Sequence, residues 1–202
     1  MQDKETRTNT LKETLQWLKA ILLAVVIALL IRGFIFEPVI VQGESMENTL
    51  HTGQRLIVYK LGYYLFHPER GDIIVLQYQE GIINRIPLLK DLPFVRQAFP
   101  AIQEVDYIKR VIGIPGDKID LKDGHVYRNG KMLDEAFIKG ETYGEGMEMP
   151  VIVPPDSVFV MGDNRENSRD SRSTDVGFVE FKKIKGKAVF RIWPLAEAGK
   201  VE

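Results

Sequence analysis

Two hydrophobic rhythms divide the chain. Trp17 to Phe36 read WLKAILLAVVIALLIRGFIF, and no polar side chain interrupts the run from Ala20 to Ile31. Coiled as a helix, roughly 20 such residues match the hydrocarbon thickness of a bilayer. Charges fall only near the ends, at Lys19 and Arg32, where long side chains reach the interface. Trp17, Phe34 and Phe36 stand where interfacial aromatics are expected, and Glu37-Pro38 reads as the helix stop. An N-terminal apolar run is also the mark of a cleaved export signal. This one is long and continues through Gly-Phe-Ile-Phe. No small-x-small cleavage pattern follows it, so it reads as an uncleaved anchor. Lys4, Arg7, Lys12 and Lys19 lie at its N-terminal side, whereas Arg32 is followed by no base until Arg55. That excess places the short tail, residues 1–16, in the cytoplasm and the bulk of the protein outside.

Beyond residue 38 the period shortens. RLIVYKL, GDIIVLQY, DYIKRVIGI, VFVMGD and GKAVFRIW are short runs rich in Val, Ile, Phe and Tyr, punctuated by Gly, Pro or Asp. Asp123-Gly124 and Asn129-Gly130 are tight-turn signals and predict two hairpins within a hairpin-rich subregion, residues 118–157. No strand-helix-strand rhythm and no repeat is present, so residues 37–202 are read as one mostly β domain. Residues 80–105 break the alternation with three prolines. They read as an insertion, either a surface excursion with a short helix or a flap dipping into the membrane interface. LGYYLF (61–66) is a second apolar stretch, destined for the core or for the bilayer surface.

Composition removes several chemistries. The net charge of -1 calls for no nucleic-acid partner. The absence of cysteine excludes disulfides, a thiol nucleophile and thiolate metal sites, and three scattered histidines leave few options for metal. What remains is hydroxyl chemistry. Ser45, in GESMENTL, is by itself an ordinary turn residue. A serine nucleophile needs a base. His51, His67 and His125 stand in no nucleophile-elbow context, which leaves a Ser-His-Asp arrangement weakly supported. A lysine serves if burial strips its proton. Lys109 sits in the apolar run Tyr107–Ile114, and strand alternation puts Lys109 and Arg110 on opposite faces, one inward and the other solvated. MGDNRENSRDSR (161–172) is an Asx-rich loop whose polar groups can interlock behind such a pair.

Together these pieces resemble the type I signal peptidases, membrane-anchored serine proteases with a Ser-Lys dyad. The resemblance rests on four boxes in the family's order, from about residue 15 to 195. They are Ser45-Met46-Glu47-Asn48-Thr49-Leu50, Arg70-Gly71-Asp72 with the aliphatics after it, Tyr107 to Asp117, and Gly162 to Arg172. It implies a signal-peptidase/SOS-repressor-like β fold with one N-terminal transmembrane helix, residues 17–36, and an extracytoplasmic catalytic domain. It implies Ser45 as nucleophile and Lys109 as general base, with the Ser45 N–H in the oxyanion hole. Ser168 is expected to hydrogen-bond the lysine amine, with Asp170 and Arg172 bracing it. Val41, Met46, Leu50 and Ile108 are expected to line small apolar pockets for the first and third residues before the cut. The substrates implied are signal peptides of exported preproteins, met at the membrane lipid surface, with no metal or cofactor. Two positions depart from the pattern. Asn48 replaces a proline, which implies a less rigid loop. Gly43 stands where Gram-negative relatives carry a serine hydroxyl, which leaves the second oxyanion donor open. A self-cleaving repressor would instead need an N-terminal DNA-binding helix pair, and a tethered binding module would not need Ser45 or Lys109.

Overall fold

The computed structural model describes residues 2–79 and 105–201. Helix α1, Gln2–Leu30, runs into a π-helical turn, Ile31–Ile35. Within it Glu13–Ile35 is long and apolar enough to cross a membrane, and its large apolar side chains face outward unburied. Phe36 does not belong to this helix. It opens strand β1, Phe36–Ile40, so FEPVI is a strand that the apolar run concealed. Pro38 is tolerated there because, among the described residues, β1 pairs only with β2, Arg55–Tyr59, and forms a sheet edge.

A short helix α2, Gly62–Leu65, leads to β3, Ile73–Gln79. Then follow β4 (Val105–Gly113), β5 (Lys118–Lys122), β6 (His125–Arg128), β7 (Lys131–Met132) and β8 (Val151–Ile152). The chain closes with β9 (Ser157–Met161), β10 (Val179–Glu180), β11 (Ile184–Trp193) and β12 (Gly199–Lys200). Among the described residues the larger sheet is ordered β1-β2-β11-β3-β4-β9-β10, with β12 on β11, and the smaller is β7-β6-β5-β8. The described part is mostly β, as the pattern predicts. Both expected hairpins are present. Asp123-Gly124 and Asn129-Gly130 all carry positive φ, as a two-residue primed turn requires. The stretch 80–104, and so the proposed insertion, lies outside the described residues.

Among the described residues three apolar clusters hold the sheets. Met161, Ile112, Ile119 and Phe159 lie in the cluster that includes the small sheet. Val111, Val160, Ile74 and Leu76 pack in a second. Val41, Met46, Leu50, Leu56 and Ile73 form the third, beneath the segment after β1. Within LGYYLF, Tyr63 takes the core alternative, packing on the second cluster and donating to Asp72 Oδ2 at 2.6 Å, while Phe66 is exposed.

Asp117 joins the sheets. It accepts from Arg70 Nε and Nη2 at 2.8 Å each, from the Ile114 N–H at 3.0 Å and from Asn129 Nδ2 at 2.7 Å. Burial alone raises a carboxyl pKa, but these donors outweigh it and hold Asp117 at about 2, below its ordinary 3.8. The stability this adds is present above pH 4 and is lost as pH falls through 2. It amounts to about 2 kcal/mol. Asp117→Asn is therefore expected to lose about that much at pH 7 in denaturation of the detergent-solubilised chain, with the difference from wild type shrinking between pH 4 and 2.

Candidate active site

Ser45 lies in the loop that follows β1. Buried Met46 and Leu50 pin this loop into the third cluster beside Val41. Turn bonds tighten it, from the Glu47 N–H to Glu44 O at 3.1 Å and from the Leu50 N–H to Met46 O at 2.7 Å. The Asn164 N–H donates to Ser45 O at 3.1 Å, Asn164 Nδ2 to Glu44 O at 3.1 Å, and Thr49 Oγ1 to Asp163 Oδ2 at 2.5 Å. Asn48 has φ +76°, which proline, fixed near -65°, cannot adopt. Asparagine tolerates that conformation, and Asn48 Nδ2 donates to Ile138 O at 2.9 Å. The loop is thus tethered by a side chain where a proline ring was expected to stiffen it.

Lys109 reaches this loop from β4. Its Nζ donates to Ser45 Oγ at 2.6 Å and to Ile108 O at 3.1 Å, and lies 5.0 Å from the Tyr107 ring centroid. The side chain is buried, and loss of water pulls its pKa from 10.5 to about 8, against the opposing pull of Asp170 and Asp163. Arg110 departs from the expected solvated position, because it too is buried. Asp163 supplies the countercharge, accepting from Arg110 Nε at 2.9 Å and Nη2 at 2.8 Å, and the guanidinium stacks 4.0 Å over Phe137. An alternating strand buries both neighbours when one of its faces carries a bonded ion pair.

The Gly162–Arg172 segment closes the back of the site. Asp170 accepts from the Gly162 N–H at 2.9 Å and from Arg172 Nε and Nη2 at 2.9 Å each. Ser168 stands in this cluster but does not bond the lysine amine. Its hydroxyl donates to Asp170 Oδ2 at 2.7 Å, a carboxylate being the stronger acceptor. Among the described residues the Ser45 N–H has no protein acceptor, which leaves it for a ligand oxygen. Gly43 has φ +88°, and its carbonyl accepts from Thr52 Oγ1 at 2.9 Å.

Ser45 and Lys109 open onto a groove of about 490 Å³. Val41, Met46 and Ile108 line it as expected. Leu50 does not; it is fully buried beneath them. Val39 and Val75 line it as well and were missed, although Val75 sits opposite Ile108 in the β3–β4 register, a signal that only pairing reveals. Among the described residues no group of His, Asp or Glu is arranged to hold a metal, and no histidine bonds Ser45.

Gly162 is where these parts meet. A Cβ there would stand 2.2 Å from Ser168 Oγ and 2.4 Å from Ser45 O. Gly162→Ala is expected to cost about 1–3 kcal/mol of stability by overpacking, seen as a lower Tm, and to lower activity further by displacing the Ser45 loop.

Comparison with known proteins gives this arrangement a context. The family described as signal peptidase, peptidase S26, matches residues 14–193. Signal peptidase I of Bacillus licheniformis is 38% identical over 98% of this chain and 99% of its own length. A probable signal peptidase I-2 of Synechocystis is 42% identical over 90% of this chain and 74% of its own. The crystal structure of a signal peptidase I from Enterococcus faecalis covers 60% of this chain and 97% of its own, at 27% identity and a TM-score of 0.41. With its serine, lysine and bracing loop in one place and the family's match spanning residues 14–193, the chain belongs to the signal peptidase family, peptidase S26.

Proposed function

We propose that this protein is a membrane-anchored serine endopeptidase that removes signal peptides from exported preproteins by a Ser-Lys dyad. The observation that carries the reading is the 2.6 Å contact between the buried Lys109 amine and Ser45 Oγ. Near pH 8 a substantial fraction of Lys109 is neutral. In that state the Ser45 hydroxyl donates its proton to Nζ as Oγ attacks the scissile carbonyl. The Ser45 N–H meets the oxyanion that forms. The ammonium then protonates the leaving amine, and the neutral amine next takes a proton from the water that hydrolyses the acyl-enzyme.

Asp170, Arg172 and Ser168 act by fixing the ground on which the dyad stands, since all three are buried and bonded to one another. The apolar floor of Val41, Met46 and Ile108, with Leu50 beneath it, suits Ala-like side chains at the first and third residues before the cut and excludes bulky ones by overlap. The reaction as written uses no metal or cofactor.

The helix before the domain supports an anchor, with residues 1–16 cytoplasmic and the catalytic domain on the outer face, as the tail's bases favour. Ser45 comes only nine positions after Phe36, so the nucleophile works close to the membrane lipid. A tether of this kind raises the effective concentration of a membrane-held substrate.

Purified in detergent and offered a preprotein with an Ala-x-Ala site, the wild-type chain is expected to cut it. Ser45→Ala and Lys109→Ala should each lose about 10²–10⁴-fold or more in rate, while His51→Ala, His67→Ala and His125→Ala remain active. The kcat/KM profile should rise with pH and level off above a midpoint of about 8, as Lys109 loses its proton. Near-normal cleavage by Lys109→Ala, or a rate unchanged far below pH 8, would refute the dyad.

A further inference from the structure

The support loop alternates. Ser168 and Asp170 are buried, whereas Asn167 and Arg169 are exposed and line the groove. The buried members carry the bracing already described. Arg169 stands at a position that the family's box leaves variable, and the mechanism does not use it.

Its placement is nevertheless built. Arg169 Nε donates to Asp175 Oδ2 at 2.6 Å, and Tyr78 OH donates to the same carboxylate oxygen at 2.7 Å. The guanidinium carbon lies 5.6 Å from the Tyr78 ring centroid, and Tyr78 stacks on Tyr107 at 4.4 Å. Tyr107 in turn lies under the Lys109 amine. A cation at the groove rim is thus held by one carboxylate and one ring against the strand that carries the general base. None of Arg169's described bonds uses Nη1, so donors remain for a ligand.

An extended substrate alternates its side chains. If the first and third residues before the cut enter the apolar floor, the second points away from it, toward the rim that Arg169 shares with Asn167. We propose that Arg169 is a specificity-determining residue that reads this second residue before the cut, favouring a carboxylate there over a cation. The proposal rests on the protease reading given above. The opposing rim charge, Glu44, is adjacent to the nucleophile and accepts from Asn167 Nδ2 at 3.1 Å. That bond already engages one of its two carboxylate oxygens. Asp106, also in the groove, is paired with Lys185 at 2.7 Å.

The test uses the full-length protein in detergent and three preproteins with Ala-Glu-Ala, Ala-Gln-Ala or Ala-Lys-Ala before the cut. The readout is the ratio of kcat/KM for the Glu substrate to that for the Lys substrate within each variant. Wild type should prefer Glu by about fivefold at low salt, the scale of an exposed ion pair, and the preference should fade in concentrated salt. Arg169→Ala should bring the ratio to near one, and Arg169→Glu should invert it. Asp175→Asn removes the competing carboxylate and should widen the preference, an effect that a merely structural role for the pair would not give. A wild-type ratio near one, or a ratio that Arg169→Ala leaves intact, overturns the proposal. Cleavage of the Gln substrate separates the two levels. If wild type cuts it while the ratio is near one, only the specificity claim falls. If wild type cuts none of the three, the protease reading falls and takes the proposal with it.

Discussion

A lysine amine removed from water and set 2.6 Å from a serine hydroxyl is the constraint around which the rest of the domain is arranged. Burial shifts its pKa from 10.5 to about 8. At neutral pH Lys109 is largely protonated in the folded and the unfolded chain alike, so the fold bears the cost of burying a charge, about 3 kcal/mol. The cost disappears as pH rises from 8 to 10.5, where the folded amine is neutral and the unfolded one still holds its proton. The same burial that weakens the fold leaves a share of Lys109 neutral near pH 8, which is what the proposed general base requires.

Other buried charges surround the amine without neutralising its effect. Asp170 lies close enough to raise the lysine pKa, but Arg172 occupies both of its oxygens and opposes that pull. Asp163 is held by Arg110 and Thr49 in the same way. Each carboxylate is thus engaged by a guanidinium. A buried pair broken on one side costs about 3–5 kcal/mol, so these partners are fixed in place and the geometry of the Ser45–Lys109 contact with them. Gly162 lets Ser168 and the Ser45 carbonyl approach the same point of backbone, which joins the Gly162–Arg172 loop to the Ser45 loop.

Much of this was legible in the sequence. The apolar helix, the mostly β domain, the two Gly-containing hairpins and the gathering of Ser45, Lys109 and the Gly162–Arg172 loop all followed from local pattern or from the boxes. The misses share a cause: they depend on which segments become neighbours. Phe36 looked like the last residue of a membrane helix because an apolar residue serves a bilayer and a sheet edge equally. Arg110 looked solvated because strand alternation does not reveal that Asp163 waits on the other face. Ser168 was aimed at the lysine because its sequence gives no sign that Asp170 competes for its proton. Leu50 lies beneath the groove and Val75 lines it through tertiary packing, and the +76° φ of Asn48 has no signature beyond the residue's tolerance for it.

The central claim is that burial lets Lys109 shed its proton near neutral pH, and the most direct measurement is its own titration. NMR of the detergent-solubilised chain, with lysines labelled at the side-chain amine and Lys109 assigned by its loss in Lys109→Arg, reports the midpoint for that one group. The account predicts a midpoint of about 8 for the Lys109 signal. A Lys109 signal that titrates at the ordinary lysine value of 10.5 would contradict it.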